Sequence, residues 1–166
     1  MKKISIIGPE SSGKTTLAYS LSKLLNESFI EEYARDYVNK NKNYTISSLE
    51  IIAQKQSERI EEQKSKVKNF LISDTSIIDI FIWSEIKYKE CRRKISIMEK
   101  NESFDYYLLC KPDFPWVEDP LRENPRGRIK IFDLFRYYLD KKKANYKIIN
   151  GSHSNRLLTS LNFIKK

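Results

Sequence analysis

Cysteine, glycine and histidine are scarce in this chain: two, four and one among 166 residues. Cys91 and Cys110 are too few for a disulfide framework and lack any zinc-type spacing, so a stapled secreted fold is excluded and a reducing cytosol is expected. No apolar stretch approaches the length of a membrane span. After Met1-Lys2-Lys3 the chain passes directly into a strand-like run without a signal-peptide core. No membrane partner is therefore expected, and the cytoplasm is the expected location. The lone His153 precedes the last helix and reads as a cap or surface residue rather than a base.

What the chain does carry is a globular composition, 40% hydrophobic and 12% aromatic, enough for one domain spanning residues 1–166. Lysine and arginine number 31 against 22 acidic residues, a net charge of +9. That excess would suit a phosphate backbone. Many of the lysines, however, sit beside glutamates on helical faces, and small anionic ligands account for part of the excess. Nucleic acid is not the expected partner.

Strands and helices alternate along the sequence. Lys3–Ile7 is a β-branched run stopped by Gly8 and Pro9, and leucines at 17, 21, 24 and 25 then recur at helical spacing. Ser28–Ile30 reads as a second strand, with a helical turn near Tyr33–Tyr37 and a polar loop over Asn39–Tyr44. Ser47 or Ser48, with Glu50 behind it, is expected to open a long helix reaching about Val67. Asn69–Ser73 is a third strand ending at Asp74, Ile77–Glu90 a helix, and a further helix precedes Asn101. Asp105–Cys110 and Tyr146–Ile149 are strands four and five, and helices are expected over Ile129–Lys142 and Asn155–Ile164. Lys111–Arg128 holds four of the five prolines and must be largely loop. This alternation predicts an α/β fold: a five-stranded parallel sheet with helices on both faces, in three layers.

Gly8-Pro9-Glu10-Ser11-Ser12-Gly13-Lys14-Thr15 matches the phosphate-loop pattern G-x-x-x-x-G-K-[ST] without a departure. Glycines let the chain wrap so that its N–H groups point at phosphate oxygens, and the next helix adds its positive N-terminus. Lys14 supplies a mobile charge for β and γ phosphates, and Thr15 offers a hydroxyl to Mg²⁺. The pattern sits where the mechanism needs it, between the first strand and the first helix. ATP and Mg²⁺ are the expected ligands. The expected nucleotide contacts are Gly8, Glu10, Ser11, Ser12, Gly13, Lys14, Thr15 and Thr16.

Asp74 ends an apolar strand and so faces the crevice beside that loop. It could hold the metal with Thr15 or orient an acceptor hydroxyl, and equally could cap the helix that follows. Glu31 and Glu32 follow the second strand with Arg35 on the same turn; a carboxylate there can bind a sugar diol and take a proton, or be a solvated charge. Residues 116–128 form an expected lid whose Arg122, Arg126 and Arg128 would close over phosphates, Arg126 binding ATP and the other two acting in the chemical step. Trp116 flanks it and suits either a flat ring or the core.

Gly8–Leu17, Glu32-Tyr33-Ala34-Arg35, Asp74-Thr75, and Pro112-Asp113-Phe114-Pro115-Trp116-Val117 with Leu121-Arg122 together resemble the nicotinamide riboside kinase domain of NadR-type proteins, over essentially the whole chain. The resemblance implies a P-loop nucleoside- and nucleotide-kinase-like fold and γ-phosphoryl transfer from ATP to the 5′-hydroxyl of nicotinamide riboside. Glu32, Tyr33, Arg35, Asp74 and Trp116 would then surround the acceptor, with Lys14, Glu32, Asp74, Arg122 and Arg128 catalytic. The family usually carries a second acid two residues after the first; here that position is Ser76. A kinase for another nucleoside or a nucleoside monophosphate, and a regulatory ATPase with a protein partner, are the alternatives.

Overall fold

The computed structural model describes residues 1–41, 43–119 and 122–165. Five strands, β1 (Lys2–Ile7), β2 (Phe29–Ile30), β3 (Phe70–Asp74), β4 (Tyr106–Cys110) and β5 (Tyr146–Ile149), form one parallel sheet in the order β2-β3-β1-β4-β5. Period-two alternation divides the side chains between its faces. Ile4, Ile6, Ile72, Leu108 and Cys110 meet α1 (Lys14–Leu25) and α7 (His153–Ile164) on one side, and Ile7, Leu71, Tyr107 and Leu109 pack on the other. That second face is covered by α3 (Ile46–Lys64), α4 (Ile77–Tyr88) and α6 (Arg128–Lys141). Covered on both sides, the strands read as continuous apolar runs.

A third apolar cluster lies away from the sheet, where Leu49, Ile52, Ile77, Ile80 and Ile95 join α3, α4 and α5 (Arg93–Asn101). Tyr33 and Tyr37 of α2 (Tyr33–Asn41) and the following Tyr44 pack onto it. This helical wall stands opposite the phosphate loop and forms the far side of the site.

Two local expectations change. The polar stretch from Asn39 is helical through Asn41, with the Asn41 amide donating to the Tyr37 carbonyl at 2.7 Å. No proline or glycine interrupts it. The long helix α3 is capped by Thr45, not Ser47 or Ser48: Ser48 N donates to Thr45 Oγ1 at 3.4 Å and Thr45 N to Ser48 Oγ at 3.0 Å. A serine at the third helical position thus performs the return bond usually made by glutamate. The helix ends at Lys64, short of Val67.

Register fixes the crevice. Ile6 of β1 lies beside Asp74 of β3, and Thr75 N donates to the Ile6 carbonyl at 2.9 Å. The acid at the end of β3 is thereby set next to Gly8, where the phosphate loop starts.

Candidate active site

The loop from Gly8 to Lys14 turns tightly against its neighbours. Gly8 has φ of 140°, and a Cβ there would meet the Cys110 carbonyl at 2.7 Å; Gly13 has φ of 82° and would bring a Cβ to 3.0 Å from the Phe114 ring. Only glycine fits either place. Ser12 Oγ donates to the Pro9 carbonyl at 2.7 Å, closing the loop, and Lys14 Nζ donates to the Gly8 and Pro9 carbonyls at 2.8 and 3.0 Å. Thr15 Oγ1 donates to Asp74 Oδ2 at 2.6 Å, while Asp74 Oδ1 is buried without a partner among the described residues. Burial, reinforced by the charge of Glu32, pushes the Asp74 carboxyl up to about 6 despite Lys14 and the Thr15 hydroxyl.

From this loop a cleft of about 530 Å³ runs toward the helical wall. Gly8 through Thr16, Glu32, Arg35, Asp79, Trp83 and Arg122 contribute to its lining. Glu32 pairs with Arg35 at 3.5 Å, and Arg35 reaches Asp119 at 3.1 Å. At the far end Trp83 Nε1 donates to the Tyr44 hydroxyl at 2.8 Å. Lys87 lies 3.9 Å over the Tyr44 ring and pairs with Glu123 at 2.8 Å.

The lid segment docks on two of the four variable positions of the phosphate loop, Glu10 and Ser11. Glu123 N and Asn124 N donate to the Glu10 carboxylate at 3.0–3.2 Å, and Val117 N donates to Ser11 Oγ at 3.1 Å. Arg122 donates to the Val117 carbonyl at 2.7 Å and to Ser11 Oγ at 3.4 Å; Arg128 donates to the Ser11 and Phe114 carbonyls at 3.2 and 3.0 Å. Glu10, expected at the nucleotide, is therefore turned to the lid, and its carboxyl is raised by burial against those N–H bonds. Arg126 is exposed. The expected lid and the motif residue Leu121 include positions 120 and 121, which lie outside the described residues.

Three expected acceptor contacts do not line the cleft: Asp74, bonded to Thr15 behind the loop, Trp116 and Tyr33. Trp116 sits with its ring 5.6 Å from the Arg128 guanidinium, and it is Trp83 that lines the cleft. Tyr33 carries its ring to 4.7 Å from the Arg59 guanidinium. Three further residues escaped the sequence reading. Gln56, buried on α3, accepts from Tyr33 N at 2.8 Å and donates to Ser73 Oγ at 3.5 Å, fixing the turn that bears Glu32. Asp79 accepts from Gly8 N at 3.4 Å and Ser76 N at 3.0 Å. Arg156, only 1% exposed, donates to the Ser12, Lys111 and Gly151 carbonyls at 2.8, 2.8 and 3.0 Å, pairs with Asp113, and stacks on Phe114 at 4.2 Å. The segment Pro112–Val117 is thus a strap between α7 and the phosphate loop. Among these, a glutamine on an amphipathic helix gives no sequence signal; for Asp79 the one available signal was its place three residues after Ser76, at the start of a helix.

A sequence-family profile described as an AAA domain matches residues 3–156. The chain belongs to that family. It is 27% identical over 128 residues to the trifunctional NAD biosynthesis/regulator protein NadR of Escherichia coli strain K12, a match covering 74% of this chain and 31% of that protein. Among solved structures, a NadR protein in complex with NR superposes with a TM-score of 0.84 at 18% identity, covering 98% of this chain and 50% of that one. Deoxyadenosine kinase from M. mycoides with bound dATP gives a TM-score of 0.66 at 15% identity, with both chains covered completely. The chain spans about a third of the curated relative and half of the NadR structure. The fold is that of P-loop kinases, and the NadR resemblance stands in both sequence and structure. No helix among the described residues is long and apolar enough to cross a membrane.

Proposed function

We propose that this chain is an ATP- and Mg²⁺-dependent kinase that transfers the γ-phosphoryl group to the 5′-hydroxyl of a nucleoside, with nicotinamide riboside as the acceptor and nicotinamide mononucleotide as the product. The observation that carries the reading is the cleft that joins a complete phosphate loop to a wall bearing carboxylates and aromatics, with Arg122 of the lid lining it. A regulatory ATPase has no use for the second half of that cleft. The cations on the acceptor side also have carboxylate partners: Arg35 with Glu32 and Asp119, Lys87 with Glu123. An acceptor monophosphate would have to compete for them, which favours an uncharged or cationic nucleoside.

In this reading Lys14 exchanges the loop carbonyls for the β and γ phosphates, and the lid arginines neutralise charge on the transferred group. Glu32 and Arg35 orient the acceptor sugar. The orphaned Asp74 Oδ1 and the Thr15–Asp74 contact fit a cation beside the phosphates. Among the described residues no three His, Cys, Asp or Glu side chains gather to hold a metal, so the ion would arrive with ATP and be held by Thr15, with Asp74 behind it. It would supply charge neutralisation at the γ-phosphate. The test is purified protein with Mg-ATP and a nucleoside panel, products identified by mass. A phosphorylated riboside is expected; slow ATP hydrolysis that no nucleoside accelerates would overturn the reading.

A further inference from the structure

We propose that Asp79, on the first turn of α4, is the carboxylate that takes the proton of the attacking hydroxyl. The inference rests on the kinase reading above and adds a residue to it. The other carboxylates around the cleft are engaged. Glu10 holds the lid backbone, Glu32 pairs with Arg35, and Glu123 pairs with Lys87 and accepts from Tyr44. Asp74 is 2% exposed and bonded to Thr15, behind the loop rather than on the cleft lining. Asp79 lines the cleft between the phosphate loop and the wall that carries Ile80 and Trp83, and it has no ion pair among the described residues.

Its position is fixed. Oδ2 accepts from Ser76 N and Oδ1 from Gly8 N, the first glycine of the phosphate loop. A carboxylate offers about four lone-pair sites, so two backbone bonds leave capacity for a hydroxyl. Ser76, where the resemblance expects a second acid, carries no charge and is buried with its hydroxyl unpartnered among the described residues. Asp79 supplies a carboxylate at the same helix start. Burial raises its carboxyl to about 8, Glu32 adding to the shift while Lys14 and the two N–H groups oppose it. A group with that proton affinity suits general-base work near neutral pH.

The hydroxyl oxygen forms a bond to the γ-phosphorus as the bond from γ-phosphorus to the β–γ bridging oxygen breaks. ADP leaves, and the hydroxyl proton moves to Asp79. Three variants test it against a purely structural role, in which Asp79 is only a strut for Gly8 and α4. Asp79→Asn keeps an oxygen that can accept from Ser76 N but loses the charge, Asp79→Ala loses both, and Asp79→Glu keeps the charge displaced by one methylene. With the nucleoside that the wild type phosphorylates, Asp79→Asn is expected to lower kcat at least about a hundredfold. Its Tm should fall less than that of Asp79→Ala, since only the long 3.4 Å bond from Gly8 N is given up, and Asp79→Glu should recover part of the loss in kcat. Near-wild-type kcat in Asp79→Asn, with activity and Tm lost together in Asp79→Ala, would overturn the proposal. Should Asp79→Asn not fold, Asp79→Glu against Asp79→Gln decides: kcat held by glutamate and lost in glutamine at equal Tm supports the role, and equal kcat in the two ends it. If the wild type phosphorylates no nucleoside, the kinase reading fails separately. The same variants are then compared in ATP hydrolysis, where water takes the acceptor's place: a large loss in Asp79→Asn supports Asp79, and unchanged hydrolysis overturns it.

Discussion

Lys14 and Arg122 both make their bonds to the protein's own oxygens in this structure, yet they stand differently to the reaction. Lys14 holds two carbonyls of its own loop and little of the core, so Lys14→Ala should abolish phosphoryl transfer while leaving the melting temperature within a few degrees of wild type. Turnover near normal would remove the loop's assigned role. Arg122 reaches Ser11 Oγ from the lid and lines the cleft. Its charge matters most when the γ-phosphoryl is in flight, so Arg122→Ala should lower kcat by about tenfold or more with a smaller effect on ATP affinity. Lysine should rescue poorly because it lacks the planar fork. Arg128 is bonded to the Ser11 and Phe114 carbonyls, and its alanine variant should cost stability as well as rate. Thermal melts read alongside kcat separate the two arginines.

At the scale of elements, the strap from β4 to the lid depends on α7. Arg156 is a buried cation whose contacts join four places: the phosphate loop at Ser12, the residue after β4 at Lys111, the strap at Asp113 and the β5–α7 turn at Gly151. Arg156→Met fills much of the volume but takes the donor from three carbonyls and leaves Asp113 with only its bond from Gly151 N at 2.8 Å. Asp113 is exposed and rehydrates, so the cost lies in the buried carbonyls that lose a charged donor, roughly 1–3 kcal/mol, and a clear drop in the denaturant midpoint is expected. KM for ATP should rise with it, because Phe114 packs on Gly13 from the same strap. A stability loss well under 1 kcal/mol would show the clamp to be dispensable. This element also marks where sequence reading stops. The five strands, the phosphate loop and the acid ending β3 were legible, since period-two burial and the glycine spacing leave direct marks. Arg156 was not, because an arginine on an amphipathic helix is ordinarily a surface residue. Trp83 was hidden for the opposite reason: Ile77, Ile78, Ile80 and Ile82 make α4 apolar around most of its circumference, so no face announced the cleft. Trp116 was misplaced because a proline-rich loop has no period from which a facing direction can be read.

For the molecule as a whole, the buried carboxyls set a pH dependence that runs against the usual acid lability. Burial raises Asp74 to about 6, Glu102 to about 7 and Asp79 to about 8. Each binds its proton more tightly in the folded chain than in the unfolded one, so its contribution to stability is full below the unfolded value and falls as pH rises to the folded value. For Glu102 that window runs from 4.5 to about 7. The net charge of +9 works the other way, since acidification adds positive charge and self-repulsion. Comparison with a single variant separates the two effects, because both proteins share the rest of the charge to within one unit. Glu102 Oε2 accepts from Ile77 N at 2.9 Å, and Gln can keep that bond without titrating. Glu102→Gln should therefore melt close to wild type at pH 4.5 and gain on it steadily up to about pH 7, with the difference constant above. A Tm difference that is flat across this range, or that favours the wild type at high pH, would mean that Lys142 holds Glu102 ionised in the folded chain and that burial does not govern its titration.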